Sequence, residues 1–263
     1  MSRKSASFKG IEVVYSHSGC GETVLLLHGF LEERSMWNEY AEVLSEKYTV
    51  ICPDLLGHGE TDCLGYVHSM SLQAEAVAAV LESEKVVEFS VVGHSMGGYV
   101  ALELARIYPQ RIAHLVLFHS TAYADSEARR LDRERVIELV QRSKSVYVKT
   151  VIPTLFADGS REALQEEIRN IAAKASRFSE QGIIANIRGM IERSPGLDVL
   201  EFGPFKKLLL HGEFDSIIPT SDMEKLALLN ENIMLKTISG IGHMGHLEAP
   251  HVCLDAIQTF LAD

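Results

Sequence analysis

The sequence lacks several features, and each absence excludes a class of protein. No apolar run approaches the roughly 20 residues that a helix needs to cross a bilayer. The first ten residues, MSRKSASFKG, include basic residues but no apolar core of a signal peptide. Internal repeats, low-complexity tracts and flexible linkers are also missing. We therefore expect a globular cytoplasmic protein with no membrane partner.

Positive charge and cysteine are both scarce. The chain has 25 Lys and Arg against 36 Asp and Glu, a formal net charge of −11, which argues against binding to nucleic acid or to an anionic membrane. The four cysteines, Cys20, Cys52, Cys63 and Cys253, are scattered and form no CxxC pair. This spacing predicts buried, reduced thiols rather than a zinc site or a disulfide framework.

What the sequence does contain is an alternation of short apolar runs with helical patterns. Strand candidates lie at 11–15, 23–29, 48–54, 89–95, 114–120, 206–215 and 233–240, and helix candidates at 35–47, 71–84, 97–108, 221–229 and 250–262. Continuous apolar runs are typical of strands that are covered on both faces. The pattern predicts an α/β fold with a mostly parallel central sheet flanked by helices.

One interval, from about Ser126 to Pro195, has no convincing strand. Three helical patterns lie within it, which predicts a helical insertion over the α/β core. Its segment ARRLDRER, residues 128–135, mixes both signs of charge, and we expect a solvated helix face there. Further on, Ser221 and Glu224 have the spacing of a capping box at the start of a helix.

A small polar residue stands at a tight corner in the middle of FSVVGHSMGGYVALELA, residues 89–105. Ser95 follows a buried strand, precedes a helix and has Gly93, Gly97 and Gly98 around it. Such a turn needs small neighbours, lifts the hydroxyl above the carboxyl edge of the sheet and points helix N–H groups at the same place. The spacing predicts a nucleophile beside an anion site.

A serine nucleophile needs a base, and the base needs a carboxylate to orient it. Glu213 and Asp215 follow the strand LLLHG, and His243 lies in the glycine-rich loop after the last strand. Because all three positions follow the carboxyl ends of strands, we expect them at the same edge of the sheet as Ser95.

Five blocks of the sequence together resemble the α/β-hydrolase superfamily. They are HGF at 28–30, DLLGHGET at 54–61, GHSMGG at 93–98, HGEFDSIIP at 211–219 and GHMGHLEAP at 242–250. The resemblance implies an α/β-hydrolase core over 1–121 and 201–263 and a helical lid over 122–200. It also implies Ser95 as nucleophile, Asp215 as acid and His243 as base, an oxyanion hole made by the backbone N–H groups of Phe30 and Met96, and no cofactor.

Some assignments within these blocks required a choice. His243 is preferred to His246 because the family's base lies five residues before a glutamate, here Glu248. Asp215 is preferred to Glu213 because the family's acid lies two residues further from the strand, with Asp222 in reserve. His28 and His94 are expected to form structural hydrogen bonds. The pair His243 and His246 has no third ligand at a recognisable spacing, so no metal site is expected.

A serine in place of the aspartate used by related dehalogenases and epoxide hydrolases favours attack on a carbonyl. The expected substrate is a small, largely apolar carboxylic ester, thioester or lactone, held by Leu31, Phe118 and Ile217. The alternative is cleavage of a carbon–carbon bond, or an elimination, in a β-diketone-like acid. That reaction needs a charged anchor, for which the lid offers Arg161, Arg169, Arg177 and Arg188, although we expect these four to be solvated.

A third alternative is a ligand-binding protein without activity, similar to plant hormone receptors of the superfamily. The sequence leaves the oligomeric state open, so a homo-oligomer remains compatible with it.

Overall fold

The computed structural model describes all residues from 1 to 263, and an eight-stranded sheet forms its centre. The strands are β1 (Ser2–Phe8), β2 (Ile11–Ser18), β3 (Thr23–Leu27), β4 (Thr49–Pro53), β5 (Phe89–His94), β6 (Ile112–Phe118), β7 (Lys206–Gly212) and β8 (Ile233–Ile238). Their order is β1-β2-β4-β3-β5-β6-β7-β8. The six strands β3 to β8 are parallel to one another. Strand β2 pairs antiparallel with β1 on one side and with β4 on the other. The mostly parallel sheet predicted from the sequence is confirmed.

Ten helices accompany the sheet. They are α1 (Asn38–Leu44), α2 (Met70–Ser83), α3 (Met96–Ile107), α4 (Glu127–Thr154), α5 (Gln165–Ala175), α6 (Glu180–Glu192), α7 (Leu197–Phe202), α8 (Thr220–Ala227), α9 (Gly245–Glu248) and α10 (Pro250–Leu261). None is long and apolar enough to traverse a lipid bilayer. Each predicted helix outside the insertion has a counterpart within a few residues of its expected bounds.

The two faces of the sheet carry separate apolar cores because successive side chains of a strand point to opposite faces. Along β6, Leu115 and Leu117 enter the larger core, which α2 and α3 cover. Val116 and Phe118 enter the smaller core, which α1 and α10 cover. Both faces are thus sealed, which explains why the strands read as continuous apolar runs rather than alternating ones.

Four helices, α4 to α7, separate β6 from β7, and we call them the helical insertion. The first is interrupted at Ser143, which has extended φ and ψ of −163° and 85°. The insertion is joined to the core through buried polar groups. Asn186 of α6 donates from Nδ2 to the Leu56 carbonyl at 2.9 Å and accepts from Gln73 Nε2 of α2 at 2.7 Å. These contacts fix α6 against the loop after β4.

The structure differs from the sequence-based expectations in three elements. The first strand, β1, was not predicted, because its polar and small residues leave it mostly exposed at the edge of the sheet. The short helix α7 was also missed. The capping box at Ser221 is wrong, since α8 begins one residue earlier, after Pro219, and no side chain caps it.

The cysteines are all unpaired, but they are not all buried. Cys52 and Cys253 are buried, whereas Cys20 is exposed and Cys63 is half-buried. Cys20 lies in the loop after β2, and the Sγ atom of Cys63 is 3.3 Å from Ser179 Oγ. The expectation of four buried thiols is therefore wrong for the two cysteines that lie in loops.

Gly97 should not tolerate a side chain. A Cβ atom there would lie 2.4 Å from the Leu27 carbonyl oxygen and 2.6 Å from that of His28, and neither backbone group can move without displacing β3. We expect Gly97→Ala to lower the free energy of unfolding in urea by at least about 1–3 kcal/mol. Gly159→Ala is the matched control, because a Cβ there has no neighbour within 4 Å. Equal stability of the two variants would contradict the packing described for α3.

Candidate active site

Ser95 occupies a strained corner between β5 and α3. Its φ of 50° and ψ of −114° lie in a region that a residue with a Cβ rarely adopts, at a cost on the order of 1–3 kcal/mol. Hydrogen bonds hold the corner: the Ser95 N–H donates to the Phe118 carbonyl at 2.9 Å, and Ser120 Oγ donates to the Ser95 carbonyl at 2.7 Å. The neighbouring strand β6 and the loop after it therefore fix the conformation that exposes the Ser95 hydroxyl.

The structure brings Ser95, His243 and Asp215 into one chain of hydrogen bonds. His243 Nε2 lies 2.8 Å from Ser95 Oγ, and His243 Nδ1 lies 2.8 Å from Asp215 Oδ2. Since Nδ1 must donate to the carboxylate, Nε2 of the neutral ring is the acceptor that faces the serine hydroxyl. This arrangement can remove a proton from Ser95.

Asp215 is held by four donors and has no exposed side-chain surface. Its Oδ1 accepts from the backbone N–H groups of Ile217 and Ile218 at 2.8 and 3.1 Å. Its Oδ2 accepts from His243 and from His119 Nδ1, the latter at 3.1 Å. Burial alone would raise the pKa of Asp215, but His243 and the bond from His119 lower it well below its usual range. Asp215 is therefore a carboxylate at neutral pH.

The two other acidic candidates lie outside this chain of hydrogen bonds. Glu213 is exposed and accepts from the backbone N–H of Gly240 at 3.1 Å. Asp222 lies in the first turn of α8, where it pairs with Lys225 at 3.3 Å.

Glu248 organises the loop that carries His243. Its carboxylate accepts from the backbone N–H groups of Gly242 and Met244, on either side of His243, at 3.0 and 3.1 Å. It also accepts from the N–H of Ala157 in the helical insertion at 3.0 Å. The His243 N–H in turn donates to the Leu155 carbonyl at 2.8 Å. The backbone of His243 is thus fixed jointly by Glu248 and by the end of α4.

Glu32 is a second buried carboxylate that the sequence analysis did not identify. Its Oε2 accepts from the Gly29 N–H at 3.1 Å and lies 2.8 Å from His94 Nδ1, while its Oε1 lies 3.3 Å from His246 Nε2. His94 Nε2 lies 3.0 Å from the His243 carbonyl. Glu32 therefore connects the loop after β3, the serine corner and the loop of His243.

The charge of this cluster is concentrated on Glu32 and His94. Burial lowers the pKa of His94, but Glu32 raises it above its ordinary value, and both ring nitrogens face acceptors. Burial raises the pKa of Glu32, but His94 outweighs it and brings the pKa to about 2. Burial lowers the pKa of His246 to about 4, so its ring is neutral at pH 7.

Of the two residues predicted to form the oxyanion hole, Phe30 lines the same cavity as Ser95, and Met96 follows Ser95 in the chain. Among residues 29–31, the N–H of Gly29 is taken by Glu32 and that of Leu31 by His58 Nε2 at 3.2 Å, whereas the N–H of Phe30 donates to no group of the chain. Met96 is the first residue of α3, a position whose N–H has no intrahelical acceptor. Both N–H groups are therefore free to meet a developing negative charge.

A small cavity of about 130 Å³ opens at Ser95 and His243. Leu31 and Ile217 line it, as predicted, and α4 and α6 supply most of the rest of its apolar wall, with Val136, Val151, Leu155, Ile187 and Met190. Phe118 does not line it. As the last residue of β6, Phe118 points to the other face of the sheet, where it packs against Trp37 and Tyr40.

Two arginines of α4 also line the cavity, Arg129 and Arg133. The expectation that residues 128–135 form a wholly solvated face is therefore wrong, because positions four apart on a helix share a side and this side faces Ser95. The four arginines singled out as anchor candidates, Arg161, Arg169, Arg177 and Arg188, do not line the cavity.

His119, Asp215 and His243 form the only compact group of metal-type ligand atoms, all within 4.8 Å of one another. His246, which the sequence analysis considered together with His243, is not part of this group, and His119 was not foreseen from the sequence. Each of the two histidines directs Nδ1 at Asp215, and burial lowers the pKa of His119 to about 3, so its neutral ring donates to the carboxylate. The group is thus held together by hydrogen bonds to Asp215, while His119 Nε2 is buried without a partner in the chain.

The pair of Glu32 and His94 should contribute strongly to stability. Glu32→Gln leaves a buried imidazolium without its carboxylate, and we expect the free energy of unfolding in urea at pH 7 to fall by about 3–5 kcal/mol. Because the pKa of Glu32 is about 2 in the fold and 4.5 in the unfolded chain, its contribution is complete above pH 4.5 and disappears as the pH falls toward 2. The difference in the free energy of unfolding between the wild type and Glu32→Gln should therefore become smaller as the pH falls below 4.5.

Glu33→Gln is the matched control for this prediction. The Glu33 side chain is half-buried and pairs with Lys174 at 3.3 Å, so its loss should cost less than about 1 kcal/mol. A similar loss of unfolding free energy in Glu32→Gln and Glu33→Gln would contradict the role given to Glu32. So would a difference in unfolding free energy between the wild type and Glu32→Gln that is the same at pH 6 and at pH 3.

Comparison with known proteins places this geometry in a family. Residues 22–250 match the family described as "alpha/beta hydrolase fold". A solved thermophilic esterase from Thermogutta terrifontis, with malate bound, superposes with a TM-score of 0.93 and 32% identity over 100% of this chain and 98% of that chain. An esterase from Exiguobacterium antarcticum superposes with a TM-score of 0.88 over 98% of this chain and 99% of its own, at 20% identity, which shows the shared fold alone.

A curated relative from Cupriavidus necator, the dihydrolipoyllysine-residue acetyltransferase component of an acetoin cleaving system, is 30% identical over 251 residues. The alignment covers 92% of this chain but only 64% of that relative's length. Since the family match extends over most of the chain and the fold agrees with it, this chain belongs to the alpha/beta hydrolase fold family.

Proposed function

We propose that this chain is a serine hydrolase that cleaves a small carboxylic ester. The observation that carries the proposal is the continuous chain of hydrogen bonds from Asp215 through His243 to Ser95 Oγ, with both links at 2.8 Å. A serine hydroxyl within hydrogen-bond distance of an imidazole that a carboxylate orients is the arrangement that nucleophilic catalysis by serine requires. Thioesters and lactones present the same carbonyl and belong to the same proposal.

In the proposed mechanism, Ser95 Oγ attacks the ester carbonyl while its proton passes to His243 Nε2. The carbonyl oxygen becomes an oxyanion, which the N–H groups of Phe30 and Met96 stabilise. The tetrahedral intermediate collapses, the bond to the alcohol oxygen breaks, and His243 returns the proton to the departing alcohol. Water then attacks the acyl-enzyme with His243 as base, which releases the acid and restores Ser95. Asp215 stabilises the imidazolium formed in each step.

The similarity to the Thermogutta esterase supports this class of reaction, since it extends over the whole chain at 32% identity. The apolar wall of the cavity supports a substrate with a hydrocarbon portion next to the carbonyl.

A second candidate is cleavage of a carbon–carbon bond in a β-diketone-like acid by the same three residues. That reaction needs a cationic group to hold the substrate's carboxylate, and Arg129 and Arg133 on the cavity wall favour it. A panel of 4-nitrophenyl esters of graded acyl length, assayed beside one β-diketone acid, distinguishes the two reactions. A non-catalytic binding protein would turn over neither.

Ser95→Ala should abolish turnover, since the nucleophile is removed without filling or opening the core. We expect the hydrolysis of 4-nitrophenyl butyrate to fall by at least about 10³-fold, with an unchanged circular dichroism spectrum. A fluorophosphonate probe should label the wild type once per chain and leave the variant unlabelled. Residual hydrolysis near the wild-type rate would remove Ser95 from the mechanism.

His243→Ala should lower kcat far more than His246→Ala does. His243 contacts Ser95 directly, whereas His246 lies 3.3 Å from Glu32 and packs its ring against those of His94 and Trp37. We expect a loss of at least about 10³-fold in kcat for His243→Ala and less than about 30-fold for His246→Ala, measured with the same ester. The opposite order would assign the base to His246.

A further inference from the structure

We propose that Arg129 and Arg133 form an anion subsite in the wall of the Ser95 cavity, so that the preferred substrate carries a carboxylate in addition to the carbonyl that is attacked. The inference deepens the proposed function and rests on it. Both side chains line the same cavity as Ser95 and His243. The other arginines of this stretch, Arg130 and Arg135, are exposed on the outer side of α4. Two of the four arginines in this stretch thus line the cavity of the nucleophile.

The cluster around these arginines has more positive than negative charge. One buried carboxylate, Asp125, faces three guanidinium groups: Arg133 Nε at 2.6 Å, Arg193 at 2.9 Å and Arg129 Nε at 3.7 Å. Three positive charges against one negative charge leave two positive charges uncompensated within the cluster. A bound anion would compensate part of this excess.

The three arginines do not have the same role. Arg193 is buried and committed to the fold, since it donates to the carbonyls of Met190 and Tyr123 at 2.9 and 3.1 Å and stacks over the Tyr99 ring at 4.0 Å. Arg133 donates only through Nε, to Asp125, which orients the guanidinium and leaves its terminal N–H groups without an acceptor in the chain. Arg129 makes no hydrogen bond through its side chain within the chain and is 40% exposed.

The other polar groups facing the cavity do not cancel this charge. Glu32 lines it as well, but the cationic ring of His94 neutralises it. Asp222 lies with Arg129 at a neighbouring, outer cavity and is paired with Lys225. Burial raises the pKa of Tyr147 to about 12, so this cavity residue stays a neutral hydroxyl, and it donates to no group of the chain. Tyr147 is thus available as a further donor to an anion.

The lining of the cavity indicates which kind of anion would bind. Guanidinium groups match a carboxylate through paired N–H donors, and most of the remaining wall is apolar. The substrate class is therefore a short acid that also contains an ester or a similarly reactive carbonyl, such as a half-ester of a dicarboxylic acid or an O-acyl hydroxy acid. A wholly apolar ester would cover the terminal N–H groups of Arg133 without accepting from them, which is costly.

Two pairs of esters test the inference, one for each side of the scissile bond. In the acyl pair, 4-nitrophenyl hemiglutarate is compared with 4-nitrophenyl 5-methylhexanoate, in which an isopropyl group replaces the carboxylate. In the alcohol pair, 4-acetoxybutanoate is compared with 4-methylpentyl acetate. We expect at least one anionic ester to exceed its neutral partner by about tenfold or more in kcat/KM. Arg133→Gln and Arg129→Gln should each lower kcat/KM for that ester by about 10–100-fold, and by clearly less for the neutral partner.

Arg135→Gln is the matched control, since it removes the same charge from the same helix at an exposed position paired only with Asp132. It should leave the ratio of anionic to neutral kcat/KM unchanged. Thermal melting checks that each variant folds. If Arg133→Gln does not fold, the result for Arg129→Gln alone decides whether the anion subsite exists. The subsite would be overturned if the wild type had the same kcat/KM for the anionic and the neutral ester in both pairs. It would also be overturned if Arg129→Gln lowered kcat/KM equally for both esters of a pair. Neither result would contradict the proposed hydrolase activity.

If the proposed function itself is wrong, the wild type should hydrolyse neither the anionic nor the neutral esters, which distinguishes this case from a wrong subsite. In that event, titration calorimetry with glutarate decides on the subsite alone. Glutarate binding to the wild type that weakens at least tenfold in Arg129→Gln supports it, and absence of binding to the wild type overturns it.

Discussion

The close approach of α3 to the sheet is the constraint on which the site depends. Gly93 and Gly97 allow the backbone of the helix to approach that of β5 and β3, because a Cβ at either position would lie 2.4 Å from a backbone oxygen. A Cβ at Gly98 would lie 2.2 Å from Ser120 Oγ. The close approach of α3 forces Ser95 to a positive φ, and the same contact places the first N–H of the helix beside the hydroxyl. The exposed hydroxyl of Ser95 and the first N–H of α3 thus arise from one packing arrangement.

Buried carboxylates connect the loops that this corner brings together. Asp215 orients His243, Glu248 binds the backbone on both sides of it, and Glu32 joins the loop after β3 to the serine corner. Each accepts several hydrogen bonds, so that desolvation of its charge is offset. Three loops that are distant in sequence thereby become one rigid unit, whose rigidity limits reorganisation when charge develops.

The sequence was sufficient to predict most of the elements in their order and the residues at the corner and strand ends, because glycine spacing and apolar runs are local signals. It was insufficient for Glu32 and His119, whose contacts depend on partners over 60 residues away in the chain. Phe118 was wrongly predicted to line the pocket, because its position at the end of a strand does not by itself reveal that its side chain points to the opposite face of the sheet. Arg129 and Arg133 were misjudged because mixed charge along a helix does not reveal which side another surface covers.

The hydrogen bonds between Leu155, Ala157 and the loop of His243 make the helical insertion part of the structure that holds the candidate site. An insertion that only determined selectivity would be a separable module, exchangeable between homologues. Here residues 155–157, just after α4, belong with the core, whereas Arg129 and Arg133 lie in the first two turns of α4. A graft confined to the start of α4 would change the lining of the cavity, and a graft that replaces residues 155–157 would remove the hydrogen bonds that hold the loop of His243.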